Sequence, residues 1–89
     1  MKAVRAVISG KVQGVWYRAW TAGEANKLGL TGWVRNHADG TVEAVFCGPV
    51  EKVDVMLARC RKGPPLARVD AIAVEPAEAP EGAGFHKLS

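Results

Sequence analysis

A chain of 89 residues with 48% hydrophobic and 24% charged content fits one globular domain, 1–89, and excludes a disordered chain. Its two cysteines exclude a disulfide scaffold, and no apolar run approaches the roughly 18 residues that a membrane-spanning helix requires. The formal charge of +3 belongs to residues 1–44, with six Lys/Arg against three Asp/Glu, while residues 45–89 carry six of each. That bias leans towards a small anion more than a nucleic-acid backbone.

The N-terminus shows no secretion signal, so the expected location is cytoplasmic, with Cys47 and Cys60 as reduced thiols. Residues 3–9 are short, rich in Val and Ile, and bounded by Gly10, which predicts a strand. Lys11 to Gly14 is a glycine-containing loop. A helix follows from Val15 or Trp16 to Leu28, because Tyr17, Thr21, Ala25 and Leu28 share one face and Gly29 stops it. Leu30–Asn36 and Thr41–Cys47 read as two strands joined by His37-Ala38-Asp39-Gly40, whose Asp-Gly pair supplies the backbone of a tight hairpin. Gly48-Pro49 ends the second of these. A helix over 50–62 then carries a stripe of Val50, Val53, Leu57 and Cys60 with Met56 beside it, and Gly63-Pro64-Pro65 closes it. Ala67–Val74 is a fourth strand. Residues 75–84 form a surface loop, and Phe85–Leu88 a fifth strand at an edge.

Strand, helix, strand, strand, helix, strand is the split βαβ order of an α+β ferredoxin-like sandwich, an antiparallel sheet covered on one face by two helices. Residues 3–9 and 67–74 are expected to be its central strands. Such a fold serves many functions, so function has to come from a site.

Ser9-Gly-Lys-Val-Gln-Gly-Val-Trp-Tyr-Arg18 carries the most chemistry. A strand enters a loop with two glycines and leaves it into a helix with an arginine in its first turn. Backbone N–H groups of such a loop converge on an anion, the helix start adds unpaired donors, and Arg18 offers a planar fork for two phosphate oxygens. The same residues also suit a plain strand-to-helix turn with a surface arginine, and Asn36 suits an ordinary turn residue. On this chemistry alone both readings stay open. Neither the P-loop nor the dinucleotide glycine pattern is met.

Gly10-x-Val12-Gln13-Gly14-Val15-x-Tyr17-Arg18 resembles the phosphate-loop signature of the acylphosphatase family, with Tyr17 where Phe is usual. Gly29-Leu30-x-Gly32-Trp33-Val34-Arg35-Asn36-x-x-Asp39-Gly40-Thr41-Val42-Glu43 resembles its second signature. Gly48, Val53, Gly63-Pro64-Pro65, Ala67, Val69 and Phe85 extend the similarity over nearly the whole chain. The resemblance implies a hydrolase of acyl phosphates with neither metal nor cofactor. It implies that the backbone of Gln13, Gly14, Val15, Trp16, Tyr17 and Arg18, with the Arg18 side chain, binds the phosphoryl group. It implies that the Asn36 amide positions the attacking water. The implied partner is a small acyl phosphate, without nucleic acid or membrane, acting on a monomer.

His37 stands where the family often has Thr, and two readings stay open for it: an exposed hairpin residue, or an influence on substrate preference or pH response. The tail Phe85-His-Lys-Leu-Ser89 lacks the Tyr or Arg often found there. Trp33 and Phe46 are expected to pack, and Trp16 and Trp20 to pack or line a rim. Arg5, Lys11 and Arg35 are expected to be solvated. An RNA-binding module would need aromatics alternating on the central strands, and a metal chaperone a CxxC in the first loop. An acylphosphatase-like domain of a larger carbamoyl-phosphate enzyme is the nearer alternative.

Overall fold

A computed structural model of the chain describes residues 1–88. The elements are β1 (Lys2–Lys11), α1 (Tyr17–Lys27), β2 (Thr31–Asn36), β3 (Val42–Gly48), α2 (Val50–Lys62), β4 (Arg68–Pro76) and β5 (Phe85–Lys87). They form one sheet in the order β4-β1-β3-β2-β5. Every pairing is antiparallel except that of β2 with β5, which is parallel. The ferredoxin-like reading therefore holds, with a short parallel strand added at one edge.

One expectation about the sheet is overturned. Residues 67–74 are not central: β4 lies at an edge, and β3 lies in the middle. Every residue of β3 is buried. On one face, Val42, Ala44 and Phe46 align with Ile8, Ala6 and Val4 under the helices. On the other, Glu43, Val45 and Cys47 align with Arg35, Trp33 and Thr31 of β2. Burial on two faces marks a central strand better than an apolar run does, because edge strands such as β4 can be equally apolar. The sole aromatic of β3, Phe46, is fully buried and stacks on Phe85 at 5.3 Å between ring centres, so no base could reach it.

The helix stripes follow the predicted periods. Tyr17, Thr21 and Ala25 are the buried face of α1, and Val53, Met56 and Cys60 that of α2. Val50 differs: placed on the stripe by spacing, it is exposed as the first residue of α2. Cys47 and Cys60 are both free and buried, and burial pushes the Cys60 thiol up to about 12.

Two glycines hold the strands at close approach. A Cβ at Gly32 (φ +135°) would be driven into the carbonyl of Val45, and one at Gly10 (φ +127°) into that of Arg68. Gly10 also sits where the β1–β4 register shifts, the kink at which β1 gives way to the first loop. Asn26 of α1 fastens β5 by two bonds, donating to the Phe85 carbonyl (3.3 Å) and accepting from its N–H (3.2 Å). No helix among the described residues is long and apolar enough to cross a membrane.

Candidate active site

The loop between β1 and α1 is the wall of a cleft of about 290 Å³. Gln13, Gly14, Trp16, Tyr17 and Arg18 line it together with Val12, Ala19, Asn36 and Lys87. Five of the six phosphate-loop candidates and Asn36 therefore meet in one place, although 18 residues of sequence separate Arg18 from Asn36. Val15 is not among the lining residues; its side chain is buried in the core.

The loop backbone is bent hard. Gly14 has φ 74°, and Trp16, the residue before α1, is left-handed at φ 65° and ψ 18°. A left-handed tryptophan costs about 1–2 kcal/mol and persists only where its surroundings impose it. Its indole is 79% exposed, so apolar burial does not repay that cost. Positive φ at two positions two residues apart gives the curl that turns successive N–H groups towards one point. The helix that follows leaves its donors open: no side chain caps α1, and its first turn holds no acidic residue. The first-turn amides and the positive end of the helix dipole are thus available to an external anion.

Side chains fix this loop to the β2–β3 turn. Gln13 Nε2 donates to the carbonyls of His37 (2.7 Å) and Thr41 (2.9 Å). The turn is closed on its own side by the His37 N–H bond to the Thr41 carbonyl (2.9 Å) and by Asp39, whose carboxylate accepts from the Thr41 N–H (2.9 Å) and hydroxyl (2.6 Å). Beyond the backbone role that the resemblance implies, Gln13 thus ties the loop to the turn through its side chain. Tyr17 points into the core, where its hydroxyl donates to the Cys60 carbonyl (2.8 Å). Burial raises the phenol well above its ordinary pKa, so it stays neutral. A tyrosine where Phe is usual therefore places its extra oxygen on α2, away from the cleft.

Arg18 projects from the first turn of α1, and one of its N–H groups donates to the Leu88 carbonyl (2.7 Å). The tail thus reaches the site through its main chain. Asn36 closes β2 on the helix-covered face, and its Oδ1 is buried without a hydrogen-bond partner among the described residues. An idle acceptor costs about 1–3 kcal/mol in a finished interior. Asn36 itself lines the cleft, so this unpaired acceptor sits beside it.

The residues on either side of Asn36 are anchored on the opposite face of the sheet. Glu43, with 5% of its side chain exposed, accepts at Oε1 from Arg35 Nε (2.9 Å) and pairs there with His37 Nε2 (2.6 Å). Arg5 Nε donates to its other oxygen. Arg5 and Arg35 keep solvent-exposed side chains, as expected, but each is also ion-paired to Glu43, and His37 is a half-buried hairpin residue tied to the same carboxylate. Burial alone would raise the Glu43 carboxyl, but hydrogen bonds from Arg5, His37 and Arg35 outweigh it and hold it at about 2. A carboxylate lowered on folding stabilises above its unfolded pKa, and that stability disappears as pH falls through the folded value. We expect Glu43→Gln to cost on the order of 2–3 kcal/mol at pH 7. The gap between variant and wild type should close between about pH 4.5 and about pH 2. Urea unfolding across that range measures it, and a gap that ignores pH would contradict the assignment.

Sequence reasoning missed three parts of this arrangement. Glu43 was visible only as a carboxylate inside an apolar strand. Lys87 enters the cleft through a non-local strand pairing. The Leu88 carbonyl is main chain and has no letter.

Comparison with known proteins covers the same residues. The acylphosphatase family model matches residues 4–87. An acylphosphatase of Rhodospirillum rubrum is 61% identical over 85 residues, which span 96% of this chain and 93% of that protein. The crystal structure of an acylphosphatase from Bacillus subtilis superposes with a TM-score of 0.93 at 33% identity, over 100% of both chains. The structure of HypF from T. kodakarensis matches all of this chain at a TM-score of 0.85 and 33% identity, but with only 12% of its own length. With the match running from β1 through both loops to β5, the chain belongs to the acylphosphatase family.

Proposed function

We propose that this acylphosphatase holds the phosphoryl group of a small acyl phosphate on the amides of residues 13–18 and the Arg18 guanidinium, and that Asn36 sets the attacking water. The oxygen of that water attacks phosphorus, the bond from phosphorus to the acyl oxygen breaks, and the electron pair leaves with the carboxylate. The proton of the water passes to a phosphate oxygen, giving carboxylate and inorganic phosphate. Such a substrate has a good leaving group and a loose transition state, so positioning and charge stabilisation supply most of the acceleration. No protein base is required.

The observation that carries this reading is the meeting of Arg18, Asn36 and an uncapped helix start around one cleft. Among the described residues its lining includes no Asp, Glu, His or Cys side chain, which supports chemistry without a metal ligand set or an Asp/Glu base there. The purified protein is expected to hydrolyse acetyl and benzoyl phosphate at undiminished rate in EDTA. Loss of activity on chelation, with recovery on adding a divalent ion, would overturn the metal-free mechanism. A cytoplasmic setting is supported by the two free thiols.

A further inference from the structure

We propose that Lys87 is a second cationic contact for the phosphoryl group, reaching the cleft from the sheet while Arg18 reaches it from α1. The proposal rests on the phosphate cradle above.

The placement follows from the register of β5. Lys87 lies opposite Val34, and the Leu88 N–H donates to the Val34 carbonyl (2.8 Å), which fixes the strand immediately after it. Side chains alternate across a strand, so Lys87 shares the helix-covered face with buried Phe85, as Asn36 shares it with buried Val34. Lys87 and Asn36 thus approach the same cleft from adjacent strands, and both line it. Asn26 holds the start of β5 against α1, the helix that carries Arg18. These contacts make the position of Lys87 a built feature of the site.

The charges point to the ligand. Arg18 and Lys87 are the two cations of the lining, and among the described residues that line it there is no Asp or Glu. Lys2, Arg5, Lys27, Arg35, Arg59 and Arg68 pair with Asp or Glu, while Lys11, Lys52, Arg61 and Lys62, like Lys87, have no such partner among the described residues; what sets Lys87 apart is its place on the cleft wall. Two like charges converging on one small cleft repel until an anion sits between them. A phosphoryl dianion matches that pair in charge. Arg18 supplies the fixed fork, and the flexible lysine supplies a point charge that can follow the oxygens as charge shifts during the reaction.

A carboxylate on the acyl part of the substrate would satisfy the same chemistry, so the experiment separates the two. Lys87→Met keeps the length and apolar stem of the side chain, and Lys87→Arg keeps the charge. Both are compared with Arg18→Gln for competitive inhibition by inorganic phosphate. Their kcat/KM is measured on acetyl, benzoyl and succinyl phosphate, the last bearing a free carboxylate. For Lys87→Met the expected result is a rise of roughly 5- to 20-fold in the phosphate inhibition constant. Its kcat/KM should fall similarly on all three substrates, with Lys87→Arg close to wild type. A loss confined to succinyl phosphate overturns the proposal in favour of an acyl-side contact. If Arg18→Gln weakens phosphate and Lys87→Met does not, the proposal fails and the cradle stands. If neither does, both fail.

Discussion

Arg18→Gln is expected to lower kcat/KM for acetyl phosphate by roughly three orders of magnitude, the scale of losing a preorganised cation at a transferring phosphoryl group. One guanidinium N–H is held by the Leu88 carbonyl, so the side chain is oriented before substrate arrives, and no other described residue bonds its fork. Glutamine can keep the bond to Leu88 but brings no charge and no fork. The phosphate inhibition constant should rise together with the loss in kcat/KM, because in the proposed cradle the same donors bind the phosphoryl group in the ground state and in the transition state. Unfolding should change little, since the bond is at the surface. Steady-state kinetics with phosphate as inhibitor provides the check. Near-normal turnover would remove Arg18 from the site.

Asn36→Ala should behave differently. A fall in kcat of about 10²- to 10³-fold is expected, comparable to deleting one oriented polar group from an active site. Phosphate should still bind with little change. The reason is the proposed division of labour in the cleft: the β1–α1 loop and α1 are assigned to the phosphoryl group, while Asn36 stands on the sheet with an acceptor that no described residue fills. Alanine also removes that idle acceptor, so the folded state should be no less stable, and could gain stability. If phosphate affinity collapsed as far as kcat, Asn36 would belong to the anion cradle and the water would need another partner.

Much of this was legible before any coordinates. The order of elements, the buried stripe of α1, the 50–62 helix and the Asp-Gly turn follow from periodicity and turn chemistry, which act over a few residues. Arg18 and Asn36 were legible because the motifs that carry them resemble a known family. What escaped depends on non-local pairing. An apolar run such as Ala71-Ile-Ala-Val74 reads like a central strand, yet the topology sets it at the edge and gives the centre to β3. Arg5, Arg35 and His37 look like separate solvated groups until the sheet brings them from β1, β2 and the turn onto the carboxylate of Glu43. A lone Lys87 near the end of a sequence gives no sign of the strand it will lie beside.

The bond from Arg18 to Leu88 has a consequence for how this family can vary. Its acceptor is a peptide carbonyl, which every residue type possesses, so natural drift or an engineered substitution at position 88 leaves the arginine's orientation intact. What the orientation of the Arg18 side chain depends on is the in-step pairing of β5 with β2, not the identity of the tail residue. An insertion between Phe85 and Leu88 would therefore be felt at the phosphate, whereas Leu88→Ala would pass almost unnoticed.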